Sequence, residues 1–595
     1  MRPRQPPSNR RIVSAMRGLT HRWILRDPCA KARQSSQSLT DRVLASRGIV
    51  GADAVDAFCN PKLARLHDPS AIPDLDLAAK RLLDAITSSQ RVAIWGDYDV
   101  DGITASAILH HTIHAINPDA DTRIHIPHRI DEGYGLNDAG VRQLAADGVR
   151  LIVSVDCGIT AINEAKTARS LGVDLVITDH HTPPASIADL PDAYAVVHPG
   201  RTDSTYPHND LCGASVAYKL AWRLATLDAR SERVCERVRR LLVDLLPLAA
   251  LGTIADVVPL LDENRIIARF GLSRIKSSPF VGLSALIEAS GLAGEKIGCE
   301  DVGFRLAPRL NAAGRMGCAH DALELLLTDS PVRAAQIAQE LTVLNDERRA
   351  IEKTIADQAA QLAQDAGMTS DDRRAIVLAH RDWHPGVVGI VCSRLVRTFG
   401  RPTILLCQSD GVCHGSGRSI DGFDLHAALG ASAQHLTTFG GHAMAAGLSL
   451  DAARLDEFTQ TFINYANEHL SPADLTPSVT IDCQVDLDDL SPRAVSQLQS
   501  LGPFGRCNTP PKILVRNITL VRPPQPIGAG GRHLSLHAKQ GERTMRFVAW
   551  GWGEWRAQLH VGQRVDVVVE PKLNTWRGVT SVEPQLADLS LESSG

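Results

Sequence analysis

Residues 91–102 read RVAIWGDYDVDG, an apolar run that ends in a glycine and then delivers Asp97, Asp99 and Asp101 at alternate positions. Two carboxylates ~4 Å apart repel by ~1 kcal/mol in water and ~4 kcal/mol at an effective dielectric of ~20. A solvated loop, a shared proton or a bound cation could offset that repulsion. Three further loops carry the same chemistry: LIVSVDCG with Asp156, LVITDHH with Asp179, His180 and His181, and LGTIADVVPL with Asp256. Taken singly each has an ordinary explanation, since aspartates after strands cap helices and paired histidines lie on surfaces or in satisfied cores.

Taken together they point to metal chemistry. Parallel strands present their carboxyl ends at one sheet edge, where ligands bind, so Asp97, Asp99, Asp101, Asp156, Asp179 and His180 are expected to converge. Oxygen-rich sites with a few imidazoles suit Mg²⁺ or Mn²⁺ rather than structural zinc, which prefers thiolates. The carboxylates exceed the needs of one ion, and two ions ~3.5–4 Å apart can activate a water and clamp the oxygens of a phosphoryl displacement. A calcium loop is the competing reading, but no EF-hand spacing is present.

The elements that must position these residues follow from pattern. RVAIWG, TRIHIP, RLIVSV, DLVIT and AYAVVH are short and rich in β-branched residues, with helical stretches between some of them, which predicts a parallel sheet covered on both faces. Residues 213–328 read as mostly helical. Ser330 and Pro331 have the types of an N-cap and first helical residue, Gly367 that of a stop, and the apolar spacing between them predicts a strut of about 36 residues, roughly 54 Å at ~1.5 Å each. Two shorter helices are the alternative. A second α/β unit begins near Arg374, and after Pro477 alternating runs such as RHLSLHAK and TMRFVAW predict a small β-barrel or sandwich.

The chain has 595 residues, 44% hydrophobic and 22% charged, so it is an ordinary globular protein of about three to five units by the ~100–200-residue prior. The net charge of −4 neither demands nor excludes nucleic acid, because a local basic groove can sit on a near-neutral protein. The 12 cysteines are scattered without a C-x-x-C pair, which favours a reducing cytoplasm. The most apolar segment, LLVDLLPLAALGTIADVVPLL, is broken by Asp244, Pro247 and Asp256 and reads as buried core, so no membrane association is expected. The basic start, with no acid before Asp27, lacks a secretory pattern and is expected to be partly disordered, a transit-like segment and a basic arm being the alternatives.

GDYDVDG, SVDCG, DHH and ADVVPL, in that order, resemble the successive motifs of the DHH phosphoesterase superfamily. RLAPRLNAAGRMG, HPGVVGIVCSRL, GSGRSIDGFDLHAAL and FGGHAMAAG resemble its RecJ type, the single-stranded-DNA-specific exonucleases. The resemblance runs from about residue 80 into the C-terminal region. It implies an α/β protein: a basic segment over 1–40, a parallel-sheet DHH catalytic domain over 41–328, a connecting helix over 329–367, a second α/β DHH-associated domain over 368–473 and an OB-type β-barrel over 474–595. It also implies 5′→3′ hydrolysis of single-stranded DNA to 5′-mononucleotides with two Mn²⁺ or Mg²⁺ ions, in repair and recombination. A monomeric cytoplasmic enzyme, with a helicase and a single-stranded-DNA-binding protein as partners, is expected.

By motif, Asp99, Asp101, Asp156, His180 and Asp256 match metal ligands. Asp97 belongs to the same cluster as a ligand or a supporting group. His181 orients the site or approaches the scissile phosphate. The resemblance assigns strand binding to Arg309, Asn311 and Arg315, to Ser416, Arg418 and Ser419, and to Gly440, Gly441 and His442. Arg305 flanks the first of these groups. Trp550 and Trp552, in an aromatic cluster with Phe547, Trp555 and Trp576, are expected to stack on bases, with packing of the barrel core as the alternative. PFGRCNTPP departs from the family by Cys507 and Thr509, where glycine and proline are usual, which bears on the local turn and not on catalysis. Two other readings remain: a DHH phosphodiesterase for short oligonucleotides, cyclic dinucleotides or pyrophosphate, disfavoured by the length and the added β-domain, and a DNA-binding scaffold without catalysis, disfavoured by the intact carboxylate set.

Overall fold

The five apolar runs form one five-stranded parallel sheet, in the order Thr122–His125, Val92–Trp95, Leu151–Val155, Asp174–Thr178, Ala195–Val197. The computed structural model describes residues 16–26, 38–129, 131–230 and 234–591. Alternate residues of each strand enter different cores: Val92 and Ile94 pack on one face of the sheet, Ala93 and Trp95 on the other. With both faces covered, polar groups are confined to the strand ends. The strand order reverses between Val92–Trp95 and Leu151–Val155, and such a switch point opens a crevice beyond the carboxyl ends. Asp97 and Asp156 follow those two strands.

The helices Val100–Ile116, Gly213–Asp228 and Glu236–Ala255 pack on one another against the sheet, and all three direct a terminus toward the crevice residues. Lys219 and Glu263, both wholly buried, pair at 2.5 Å behind them. Lys219 Nζ also donates to His67 O at 2.7 Å, and Glu263 accepts from the His67 amide at 2.7 Å and from the Tyr206 hydroxyl. The network ties helix Gly213–Asp228 to the chain that precedes the sheet.

The strut is one helix, Pro331–Asp365, capped by Ser330, whose side chain accepts from the Arg333 amide, and stopped at Gly367 with φ +66°. Its first half packs into the core of the sheet domain through Ala334, Ile337, Ala338 and Leu341. Its second half meets the next domain, where Trp383 Nε1 donates to Gln358 at 3.2 Å. That domain has a five-stranded sheet in which Ile376–His380 and Thr403–Ser409 are parallel and the remaining pairings antiparallel.

Of the described residues, those in 61–466 and 503–508 form one compact unit, and those in 16–60, 467–502 and 509–591 form the other. In the second unit, strands Ile513–Leu520, Arg564–Glu570, Gln585–Ser590, Arg543–Ala549 and His533–Gln540 pair in that order and close back on Ile513–Leu520, a five-stranded barrel. Residues 41–60, expected with the sheet domain, thus lie with the barrel, and so does 16–26 of the basic segment. Strands Met16–Arg17 and Arg22–Leu25 join Ser478–Ile481, and buried Asp588 accepts from the Thr20 and His21 amides and from Trp23 Nε1. Helix Leu39–Ser46 joins the same unit through Arg47, which grips Asp482 with two bonds of 2.9 Å. The rest of the basic segment, 1–15 and 27–37, lies outside the described residues.

Removing one member of a buried ion pair costs about 3–5 kcal/mol because the other is left without a partner. Lys219→Met is therefore expected to lower the urea midpoint of the sheet domain, and Lys219→Met with Glu263→Gln to recover part of the loss.

Candidate metal centre

Asp97, Asp99 and Asp101 lie in three different environments. Asp99 is the N-cap of helix Val100–Ile116, its Oδ1 accepting from the Asp101 and Gly102 amides at 2.9 and 3.2 Å. Asp101 faces the N-terminus of another helix and accepts from the Gly213 and Ala214 amides at 2.6 and 2.8 Å. Asp97 is 3% exposed and its Oδ1 has no partner. Oriented amides and helix dipoles thus offset two of the three charges.

His180 Nε2 lies among three carboxylates, 3.0 Å from Asp156 and 3.7 Å from both Asp101 and Asp256. Yet neither His180 Nε2 nor Asp156 Oδ1 makes a well-directed hydrogen bond, although both are buried. Buried atoms held this close without bonding each other fit coordination of a cation, and buried polar atoms without partners are otherwise costly. Three groups can each hold an ion with ligand atoms within 4.8 Å of one another: Asp97, Asp99 and Asp156; Asp101, His180 and Asp256; Asp156, His180 and His181. Asp156 belongs to two of them, as a bridging carboxylate would.

Close packing makes this convergence possible. A Cβ on Gly213 would lie 2.5 Å from Asp156 Cβ, and one on Gly252 would lie 2.4 Å from Asp101 Oδ1. Asp156 itself has φ +62°, a conformation few non-glycine residues adopt, which turns the chain sharply out of the sheet. Backbone outliers of this kind cluster at functional sites.

Asp179 departs from the expected convergence. It accepts from the amides of Ile159, His180 and His181 and from His181 Nδ1, at 2.7 to 3.1 Å. Burial alone would raise its pKa, but these bonds hold it below the usual carboxylate range. It therefore positions both histidines. His198, which the motifs do not flag, accepts from the Gly200 amide on Nδ1 and so donates from Nε2 to His181 O, at 2.6 Å. The loop after strand Thr122–His125 supplies two more unflagged residues. The Tyr134 hydroxyl donates to Asp156 O at 2.9 Å and lies 3.0 Å from His181 Nδ1, and Arg129 sits 4.7 Å over the Tyr98 ring. Their only signal in the sequence is their place after a strand of the same sheet.

The expected strand-binding residues divide. Arg315 donates to Gly386 O at 3.2 Å, and Ser416 Oγ and Arg418 Nη2 each lie 3.3 Å from where a Cβ on Gly389 would be. Among the described residues, no carboxylate lies within ion-pairing distance of Arg129, Arg315 or Arg418, and burial and the neighbouring arginines depress Arg315 to about 10. Such a cluster of positive charge suits phosphate. His442 reaches Thr182 beside the histidine pair at 3.4 Å, with exposed Gly440 and Gly441 before it.

Other residues have structural duties. Asn311 Oδ1 accepts from the Val100 amide at 3.1 Å and so helps cap the helix that carries Asp101. Arg309 is held by Thr342 and Arg305 O, and Arg305 by the carbonyls of Ser290 and Gly291. Ser419 is 5% exposed and donates to Phe423 O at 2.7 Å, so its hydroxyl closes a turn and is not free for phosphate. In the barrel unit Trp550 is 53% exposed, whereas Trp552 is 6% exposed, so its ring packs and cannot take a base.

Burial and mutual repulsion raise Asp97 and Asp156 well above the carboxylate range and push Asp256 up to about 8. Burial lowers His180 to about 4, leaving a neutral nitrogen donor at neutral pH. Burial would also depress His181, but Asp179 raises it to about 9. From the unfolded carboxylate value of ~4 up to about 8, folded Asp256 keeps a proton that the unfolded chain has lost, so stability without metal falls as pH rises. His181 acts the same way between ~6.5 and about 9. A cation replaces the proton on Asp256. The rise in melting temperature caused by Mn²⁺ is therefore expected to be larger at pH 8 than at pH 5.5, as read by calorimetry.

Residues 91–253 match the DHH family N-terminal domain, 372–468 the DHHA1 domain and 481–588 the RecJ OB domain. The chain is 36% identical over 576 residues to the single-stranded-DNA-specific exonuclease RecJ of Bacillus subtilis (strain 168), spanning 95% of this chain and 70% of that protein. It is 35% identical over 481 residues to the exonuclease of the same name from Escherichia coli (strain K12), spanning 79% and 81%. The crystal structure of RecJ in complex with Mn²⁺ from Thermus thermophilus superposes with a TM-score of 0.79 at 31% identity, over 95% of this chain and 79% of that one. The three matches follow one another along the chain, and with relatives of 35–36% identity this chain belongs to the RecJ family of DHH proteins.

Proposed function

We propose that the protein is a metal-dependent exonuclease that hydrolyses single-stranded DNA to 5′-mononucleotides from the 5′ end, in DNA repair and recombination. The observation that carries this is the cluster of buried, partnerless carboxylate and imidazole atoms beside a group of arginines without carboxylate partners. The relatives named as single-stranded-DNA-specific exonucleases support the substrate, and the Mn²⁺-bound RecJ structure supports the metal.

Asp97, Asp99, Asp101, Asp156, His180 and Asp256 would hold two ions, Mn²⁺ or Mg²⁺, which would supply an activated water and neutralise charge on the scissile phosphate. The chain's own residues do the rest. Asp179 keeps His181 protonated, with its Nδ1–H bound, so the imidazolium can donate to the phosphate from its other nitrogen. Arg315, Arg418 and Ser416 grip phosphates from one side of the site, and Gly440, Gly441 and His442 approach it from the second domain. Exposed Trp550 offers a ring for base stacking. The family resemblance adds a helicase and a single-stranded-DNA-binding protein as partners, a monomer and a cytoplasmic setting.

The test uses long oligonucleotides labelled at either end, single-stranded and duplex, with Mn²⁺ or Mg²⁺. Early release of the 5′ label from single strands alone is expected, with Asp99→Ala and Asp256→Ala inactive. Activity confined to di- or trinucleotides would instead mark a small-substrate phosphodiesterase, and binding without cleavage a scaffold. Arg418→Ala removes a charged hydrogen bond worth about 1.5–3 kcal/mol, so kcat/KM on the single strand is expected to fall roughly 10–100-fold.

A further inference from the structure

The segment that departs from the family pattern, PFGRCN, belongs to the same compact unit as the metal centre, whereas the residues on either side of it do not. Pro503–Asn508 is a tight hairpin. The Gly505 and Asn508 backbones exchange bonds of 2.9 and 3.2 Å, and buried Asn508 donates from Nδ2 to Pro503 O at 2.8 Å. Cys507 holds φ +62°, so the turn keeps a left-handed residue where the family has glycine.

The hairpin grips one stretch of chain, the four residues after Asp256. Arg506 O accepts from the Leu260 amide at 2.9 Å. The Arg506 guanidinium makes a long contact of 3.5 Å with Val257 O and acts electrostatically on Asp256. Gly505 lies against the Leu260 side chain, where a Cβ would come within 2.7 Å of Cδ1, and Arg265 donates to Pro503 O at 3.3 Å. The gripped turn is strained. Val257 has φ +59° while 57% exposed, and a β-branched residue in that region is an outlier that persists only when its surroundings enforce it. A side chain so exposed is not held there by core packing. The hairpin contacts this turn one residue from an aspartate whose carboxylate lies 3.7 Å from His180 Nε2.

We propose that the Pro503–Asn508 hairpin is a positioning element of the metal centre: through Arg506 and Leu260 it fixes the left-handed turn at Val257 and so orients the Asp256 carboxylate. The inference rests on Asp256 being a metal ligand.

The test is Mn²⁺ binding to the full-length protein, read from the loss of the free-ion signal in electron paramagnetic resonance. Arg506→Ala is expected to weaken binding about tenfold, as when a group that orients a metal ligand is removed. Adding Val257→Asn is expected to restore most of it, since asparagine tolerates the left-handed conformation. The sign is diagnostic, because a purely electrostatic neighbour predicts tighter binding once a positive charge beside a cation is gone. Unchanged or tighter binding in Arg506→Ala, or a loss that Val257→Asn does not relieve, would overturn the proposal. Arg506→Gln keeps the stem, is expected to lose the same affinity, and decides the matter if the alanine variant does not fold. Asp256→Ala separates the two levels. If it leaves Mn²⁺ binding unchanged, the metal reading itself fails, and if it weakens binding while Arg506→Ala does not, the positioning role alone fails.

Discussion

Repulsion among Asp97, Asp99, Asp101, Asp156 and Asp256 is the constraint around which the sheet domain is organised. Five carboxylates at one sheet edge cannot all be charged in a buried place unless something positive is brought to them. The fold brings partial charges first: the amide ends of two helices reach Asp99 and Asp101. It leaves Asp97, Asp156 and His180 with buried atoms that no group among the described residues satisfies. The remaining deficit is electrostatic, and divalent cations are suited to fill it.

The surrounding structure reads as the means of holding that arrangement. Gly213 and Gly252 let two helices approach closer than any side chain would permit. The left-handed residues Asp156 and Val257 bend the chain where two of the carboxylates are displayed. Asp179 and His198 fix the histidine pair from behind. The buried Lys219–Glu263 network anchors the helix whose N-terminus receives Asp101. Backbone strain at the centre is thus balanced by packing and polar networks one layer out.

The sheet, the strut and the barrel were legible because their signals are periodic. The five apolar runs became the five strands, and Ser330, Pro331 and Gly367 bound a single helix. The convergence of Asp97, Asp99, Asp101, Asp156 and His180 was legible because parallel strands share an edge, whereas Asp256, at the end of a helix, was legible only through its motif. Residues whose role depends on the direction of a side chain were not. Spacing alone cannot show that Asp179 turns back onto His181, that Ser419 closes a turn, or that Trp552 packs while Trp550 does not. Arg129 and Tyr134 lay in a loop with no repeating pattern, His198 ended an apolar run, and their contacts span distances in sequence that no local rule covers. The placement of 16–26 and 38–60 with the barrel involves strand pairing and buried partners such as Asp588 and Asp482, far apart in sequence, which composition does not reveal.

The claim that cations hold these carboxylates together is tested most directly by counting them. Mn²⁺ bound at saturation should number two per chain and give the spectrum of a magnetically coupled pair, as ions ~3.5–4 Å apart do. A single ion per chain, or two with the spectrum of isolated ions, would contradict the account.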